Sequence, residues 1–273
     1  MTTIGVLHPG EMGTALAASL RERGHDVRWA GEGRSAATRE RAAAAGLRDA
    51  GSLAALAAAS DVLVSVCPPH AAFDVARAAA GFRGVFVDAN AVSPATAAEV
   101  GRVVEAGGAR FVDGGIVGPP PEREGTTRLF LSGADAEHVA GLFAGTRVEA
   151  RVLGPEPGAA SALKMAYAAW TKGTAAMLLA IDATARANGV ADALADEWAR
   201  SQPDVADRLR AARDSAVRKG WRWVGEMEEI AATFAAAGEP DGFHRAAAEV
   251  FRSREAPGAP SQSSNEPGAP LRP

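Results

Sequence analysis

A chain of 273 residues, 47% hydrophobic and 23% charged, can bury a sizeable core in one large domain or two. Its formal charge of −4 excludes the electrostatic footprint of a protein built to grip nucleic acid or an anionic membrane surface. Cys67 is the single cysteine, so no intramolecular disulfide forms. With no basic, apolar leader in view, a cytoplasmic protein is expected, and no metal-ligand set is read from the residues. Lysine is scarce: only Lys164, Lys172 and Lys219 carry it.

Thr3-Ile4-Gly5-Val6-Leu7 predicts a first strand, and an alanine-rich helix follows the turn His8-Pro9-Gly10-Glu11-Met12-Gly13. Asp26-Val27-Arg28-Trp29-Ala30 predicts the second strand. This order sets a dinucleotide pyrophosphate on a helix N-terminus, where glycine admits phosphate and unpaired N–H groups meet its charge. In the usual G-x-G-x-x-G pattern Gly10 and Gly13 stand in place, but His8 occupies the first glycine. A β-carbon disfavours positive φ, so a variant turn stiffened by Pro9 is expected, with His8, Pro9, Gly10, Glu11, Met12 and Gly13 as cofactor contacts. After the second strand, Arg34 and Ser35 suit a 2′-phosphate, whereas Glu32 suits a ribose hydroxyl. The reading leans to NADP and leaves NAD open.

Further strands are predicted at Asp61–Val66, Gly84–Asp88, Arg110–Asp113, Arg128–Ser132 and Arg147–Val152. Helix-compatible stretches of roughly 15–30 residues separate the earlier ones, the rhythm of a parallel sheet with βα units. Loops at the carboxyl ends of the third and fourth strands offer Cys67, Pro68 and Asn90 to a nicotinamide. His70 reads as a helix-start residue, and Cys67 as a buried side chain without a base to activate it. Beyond Gly154 strand signals stop. One long helix is predicted over residues 156–190, then helices at Ala191–Ser201, Pro203–Lys219, Arg222–Ala237 and Gly242–Arg254. The expected division is a dinucleotide-binding domain at 1–153 and a helical substrate and dimerisation domain at 154–255. The Pro-, Gly- and Ser-rich segment 256–273 is expected to be a disordered tail.

Four blocks then fall in one order: Ile4–Gly13, Asp88–Pro94, Phe111–Gly118 and Gly158–Lys164. Together they resemble the β-hydroxyacid dehydrogenase superfamily, which includes 3-hydroxyisobutyrate and 6-phosphogluconate dehydrogenases. The resemblance covers about residues 3–190. The distal helices, with Trp221-Arg222-Trp223-Val224-Gly225-Glu226-Met227, resemble a poorly characterised branch with its own helical C-terminal domain. It implies an α/β fold, a doubly wound Rossmann-type N-terminal domain followed by an all-α C-terminal domain. It also implies hydride transfer between a nicotinamide and the carbinol or carbonyl carbon of a small hydroxyacid-like substrate, and a homodimer through the C-terminal helices.

Lys164 sits where that superfamily carries a lysine assisting proton transfer at the substrate hydroxyl. A lysine partly desolvated at a domain cleft has its pKa lowered and can exchange a proton. Asp113–Gly118 corresponds to the family's D-A-P-V-S-G-G substrate loop, which makes Asp113, Gly115, Ile116, Val117 and Gly118, together with Ser93, candidate substrate contacts. Gly115 replaces its proline and Val117 its serine. Tyr167 and Ala168 stand where the family has asparagines, and Tyr167 is either a second hydrogen-bonding group or a packed aromatic. These departures argue against a plain small β-hydroxyacid, and the absence of an acid within two helical turns after Lys164 argues against decarboxylation. Glu226, Glu228 and Glu229 are distant acids, two of them expected on a helix surface. Trp170, Trp221 and Trp223 are either pocket walls or core. The rival readings are imine reduction on the same scaffold, a non-catalytic dinucleotide-binding protein, and a methyltransferase using S-adenosylmethionine.

Overall fold

The computed structural model describes residues 1–254. The segment expected to form a disordered tail, 256–273, lies outside the described residues. The N-terminal half alternates strands and helices: β1 (Thr3–Val6), α1 (Glu11–Glu22), β2 (Asp26–Trp29), α2 (Ala36–Ala44), β3 (Arg48–Asp49), α3 (Leu53–Ala58), β4 (Val62–Ser65), α4 (Ala72–Ala78), β5 (Val85–Asp88), α5 (Pro94–Ala106) and β6 (Arg110–Val117). Then come β7 (Thr127–Ser132), α6 (Ala136–Leu142) and β8 (Val148–Gly154). The strands form one sheet in the order β3-β2-β1-β4-β5-β6-β7-β8. Strand order reverses between β1 and β4, the switch point outside which ligands bind in doubly wound sheets.

The strands are buried on both faces, and alternation divides the core. Ile4, Val6, Val62, Val64, Val85, Val87 and Val112 pack with Leu16, Ala17 and Leu20 of α1. Leu63, Phe86 and Phe111 point the other way, against Leu56 of α3, Ala76 of α4 and Val100 of α5. Two features differ from the sequence expectation. β6 continues to Val117, so the Asp113–Gly118 block is largely strand, not loop. β7 also pairs antiparallel to β6, because the 118–126 connection contains no crossover helix and the chain must return alongside.

After Gly154 the chain is helical: α7 (Ala159–Ala187), α8 (Ala191–Ser201), α9 (Val205–Ala236) and α10 (Gly242–Arg252). The two helices expected on either side of Gly220 are one. The buried stripe Leu209, Ala212, Ala216, Gly220, Val224, Met227 and Ala231 keeps its three- and four-residue spacing across that point. An interior glycine costs a helix only about 1 kcal/mol, less than burying such a stripe returns. Met165, Ala168 and Leu179 of α7, Met227 and Ile230 of α9 and Phe251 of α10 make the helical core. Trp223 meets Phe251 edge-on at 5.1 Å. Among the described residues no helix is long and apolar enough to cross a membrane.

Candidate active site

The turn after β1 leaves the N-terminus of α1 open. Gly10 caps α1 in an extended conformation (φ −70°, ψ −173°), and the first helical bond runs from Thr14 N–H to Gly10 O at 2.9 Å. The amides of Glu11, Met12 and Gly13 therefore have no intrahelical acceptor and emerge at the positive end of the helix. A β-carbon on Gly13 would strike the His8 carbonyl oxygen, whereas one on Gly10 would meet nothing within 4 Å. Gly13 thus lets the helix close onto the turn, and Gly10 faces open space. His8 adopts no positive φ. Its Nδ1 is buried without a partner, and burial, then the Arg34 charge, pulls its pKa down to about 4. The imidazole is neutral at pH 7.

This turn lines a groove of ≈ 330 Å³ together with Arg34, Thr38, Cys67, Pro68 and Arg222. Arg34 Nη2 donates to Leu7 O at 3.2 Å, which holds the guanidinium over the groove. Ser35 is absent from the lining: its Oγ caps α2 by accepting from Thr38 N–H at 3.3 Å. Glu32 is exposed and also absent from it. Of the residues that follow β2, Arg34 and Thr38 thus line the groove.

Asn90 fastens the two strand-end loops to each other. Its Oδ1 accepts from Cys67 N–H at 2.5 Å, and its Nδ2 donates to Ser65 Oγ at 3.2 Å and to Asp88 Oδ1. Burial, followed by the Asp88 charge, pushes the Cys67 thiol up to about 12, so it is no nucleophile at neutral pH. Asp88 is itself raised to about 7, chiefly by burial and further by Asp113 and Glu229, against the lowering effect of the Asn90 N–H.

A second cavity of ≈ 370 Å³ adjoins the groove, sharing Glu11, Met12, Val66, Cys67, Arg222 and Glu226 with it. Lys164, Tyr167, Asn90, Ile116 and Gly118 line it. Burial lowers Lys164 to about 8, and the ammonium has no hydrogen-bond or ion-pair partner among the described residues. Tyr167 is 45% exposed rather than packed in the core.

The other candidate substrate contacts lie beneath this cavity and do not line it. Asp113 is fully buried and accepts from Gly158 N–H (2.9 Å), Ser161 N–H (3.0 Å), Ser161 Oγ (2.5 Å) and Ser132 Oγ (2.9 Å). It seats the N-terminus of α7, where a carboxylate is stabilised. Ser93 caps α5, its Oγ accepting from Thr96 N–H at 3.2 Å. Val117 is buried in β6. Gly115 faces α7: a β-carbon would come 2.7 Å from Ala160 O and 3.0 Å from Lys164 Cβ. The glycine that replaces the family's proline lets the lysine helix settle directly on the sheet.

Lys172, Lys219 and Arg222 also line the cavity; no motif contained the two lysines, and Arg222 stood only in the block that marks the C-terminal branch. Lysine scarcity was the available signal, for all the lysines of the chain converge here. Lys172 pairs with Glu226, the two side chains 13% and 14% exposed, and its Nζ lies 5.8 Å from the Trp223 ring centroid. Burial and the charges of Lys164, Arg222 and Lys219 lower Lys172, with Glu226 as its counter-charge. Of the three distal acids only Glu228 is a surface charge, paired with Arg252 at 2.9 Å. Glu229 accepts from Ser93 N–H (2.7 Å) and Thr96 Oγ1 (2.8 Å), so α9 caps α5. Trp223 lines the cavity and Trp221 the groove, while Trp170 lies elsewhere on an exposed face.

A groove at the sheet's switch point, an open helix N-terminus and a desolvated lysine in the adjoining cavity define a nicotinamide-dinucleotide-dependent oxidoreductase scaffold. Residues 3–143 match the family described as the NAD binding domain of 6-phosphogluconate dehydrogenase, and the chain belongs to that family. Residues 185–253 match a domain of unknown function, DUF1932. Among solved structures, the conserved protein MTH1747, described as structurally similar to 3-hydroxyacid dehydrogenases, is 29% identical. That match covers 92% of this chain and 96% of the other, with a TM-score of 0.69. The fold is shared with 3-hydroxyisobutyrate dehydrogenase from Salmonella typhimurium (19% identity, 93% and 94% coverage, TM-score 0.69). It is shared also with an NADPH-bound reductive aminase from Aspergillus terreus (22%, 93% and 93%, 0.59).

Proposed function

We propose that the protein is an NADP-preferring dehydrogenase or reductase acting at the carbinol or carbonyl carbon of a small, hydroxyacid-like substrate. The observation that carries this reading is Lys164: a lysine without a counter-ion, lowered to about 8, in a cavity continuous with the dinucleotide groove. A bound nicotinamide would supply the hydride donor or acceptor. The free amides of Glu11, Met12 and Gly13 would hold the pyrophosphate, and Arg34 with Thr38 the 2′-phosphate. Asn90 keeps the loops beside the nicotinamide in register. Lys164 gives a proton to the substrate oxygen in reduction and removes it in oxidation. Tyr167, about one helical turn further along α7, offers a second hydroxyl donor at the same oxygen. Ile116, Met12 and Trp223 exclude water around them.

Fluorescence titration with NADPH and NADH tests the cofactor half. Tighter NADPH binding is expected, with Arg34→Ala weakening NADPH about tenfold and leaving NADH little changed. Tighter NADH binding would overturn the NADP assignment, and failure to bind either nucleotide would overturn the whole reading. Imine reduction is the second reading, favoured by Val117 of β6 and Ala168 of α7, which replace the superfamily's carboxylate-contacting serine and one of its asparagines. A panel of paired carbonyl and imine substrates under NADPH separates the two, and oxygen chemistry is expected to dominate because Lys164 is retained.

A further inference from the structure

The cavity beside Lys164 has a charge pattern that hydride transfer alone does not require. Four cations line it, Lys164, Lys172, Lys219 and Arg222, against the acids Glu11 and Glu226. Glu226 is already taken by Lys172, so that pair is internally neutral. Glu11 is exposed at the start of α1. Lys219 and Arg222 have no ion-pair partner among the described residues, and the Arg222 guanidinium lies only against the Trp221 ring, at 5.8 Å. Both are half-buried. Like charges gathered in a partly desolvated pocket repel and lose hydration, an arrangement stabilised when an anion enters.

The opposite wall is bare. Ile116, Gly118 and Pro119, at the end of β6 and just after it, and Ala168 of α7 offer no side chain there that could hold an anion. The positive charge left free to hold an anion therefore comes from α9, which carries Lys219 and Arg222. Arg222 also borders the dinucleotide groove and can share its charge with the pyrophosphate, whereas Lys219 borders only the cavity. Resting on the reductase reading above, we propose that the substrate is a dianionic hydroxy or oxo acid whose second anionic group, a carboxylate or a phosphate, is held by Lys219 and Arg222.

The test is calorimetric titration of the full chain, with and without NADPH, using propionate, succinate and glycerol 3-phosphate as probes. At least one dianion should bind ten-fold or more tighter than propionate, and the better of the two identifies the anionic group. Lys219→Gln with Arg222→Gln should abolish that preference. Raising the salt from about 0.05 to 0.5 M should weaken the dianion more than the monoanion in the unmodified protein, a readout independent of whether the double variant folds. Equal binding of mono- and dianions, or a preference that survives the double variant, overturns the inference. Because these are binding measurements, that failure leaves the reductase reading standing, whereas loss of nucleotide binding with dianion preference intact overturns only the latter.

Discussion

Lys164 joins desolvation to chemistry at the scale of a single residue. With its pKa lowered to about 8, the neutral amine gains as pH rises through that value. Oxidation, which needs a base, should therefore accelerate through about pH 8; reduction, which needs the ammonium, should decline above it. Lys164→Ala should lower kcat by about 10²–10⁴-fold while NADPH still binds, read by steady-state kinetics beside nucleotide titration. Asp88 gives a signature in stability instead. Its folded pKa, raised from 3.8 to about 7, exceeds the unfolded value, so the folded state holds an extra proton between them. The associated stability is full below about pH 4 and is lost as pH rises through about 7. Melting temperature should fall between about pH 5 and pH 8, and Asp88→Asn should flatten that slope; an unchanged slope would assign it to other groups. Of these two residues only Lys164 was legible in the sequence, through its glycine-led block. Asp88 stood out only once Asp113 and Glu229, remote in sequence, lay near it.

Among elements, the decisive contact is α7 on β6. Asp113 receives the N-terminus of α7, and Gly115 removes the β-carbon that would hold the helix away. Gly115→Ala should cost about 1–3 kcal/mol in denaturant unfolding and also lower kcat, because the displaced turn carries Lys164. A stability loss with kcat intact would show that the lysine does not depend on this packing. The sequence block around Asp113 was visible as a motif, but strand and loop look alike where glycines follow an apolar run. The continuity of β6 rests on pairing with β7, which local pattern does not encode. A second joint is Glu229, which lets α9 cap α5. Glu229→Ala should destabilise the protein by roughly 1–3 kcal/mol, since the donors on Ser93 and Thr96 lose a charged acceptor. Glu229→Gln should restore part of that.

For the whole molecule, the sheet supplies the groove and the helices supply most of the cavity's charge. Groove and cavity meet at Arg222 and Glu226 of α9, which line both, and on the proposed reading substrate and cofactor would meet there. The helical half also carries an uncovered apolar face: Trp170, Met177 and Phe243 are 63%, 50% and 70% exposed around a cavity of ≈ 530 Å³. A homodimer through the C-terminal helices is the proposal this face supports, and sedimentation of the full chain tests it. A dimer that Trp170→Glu with Phe243→Glu converts to monomer is expected; a monomer at all concentrations would remove the proposal.

The sequence by itself determined the alternation of strands and helices, the phosphate turn with His8 in the first glycine's position, and Lys164. Each of these is local, set by apolar period, glycine spacing or a short block. Tertiary structure decided which polar side chains line the groove and the cavity. It assigned Asp113 and Ser93 to helix caps, Ser35 to the start of α2, and Glu229 to the joint between the halves. It brought Lys172, Lys219, Arg222 and Glu226 to the cavity from helices far along the chain. The reason is that a side chain's role follows from what its element packs against. For α7 and α9 that was fixed by long-range burial, not by neighbours in sequence.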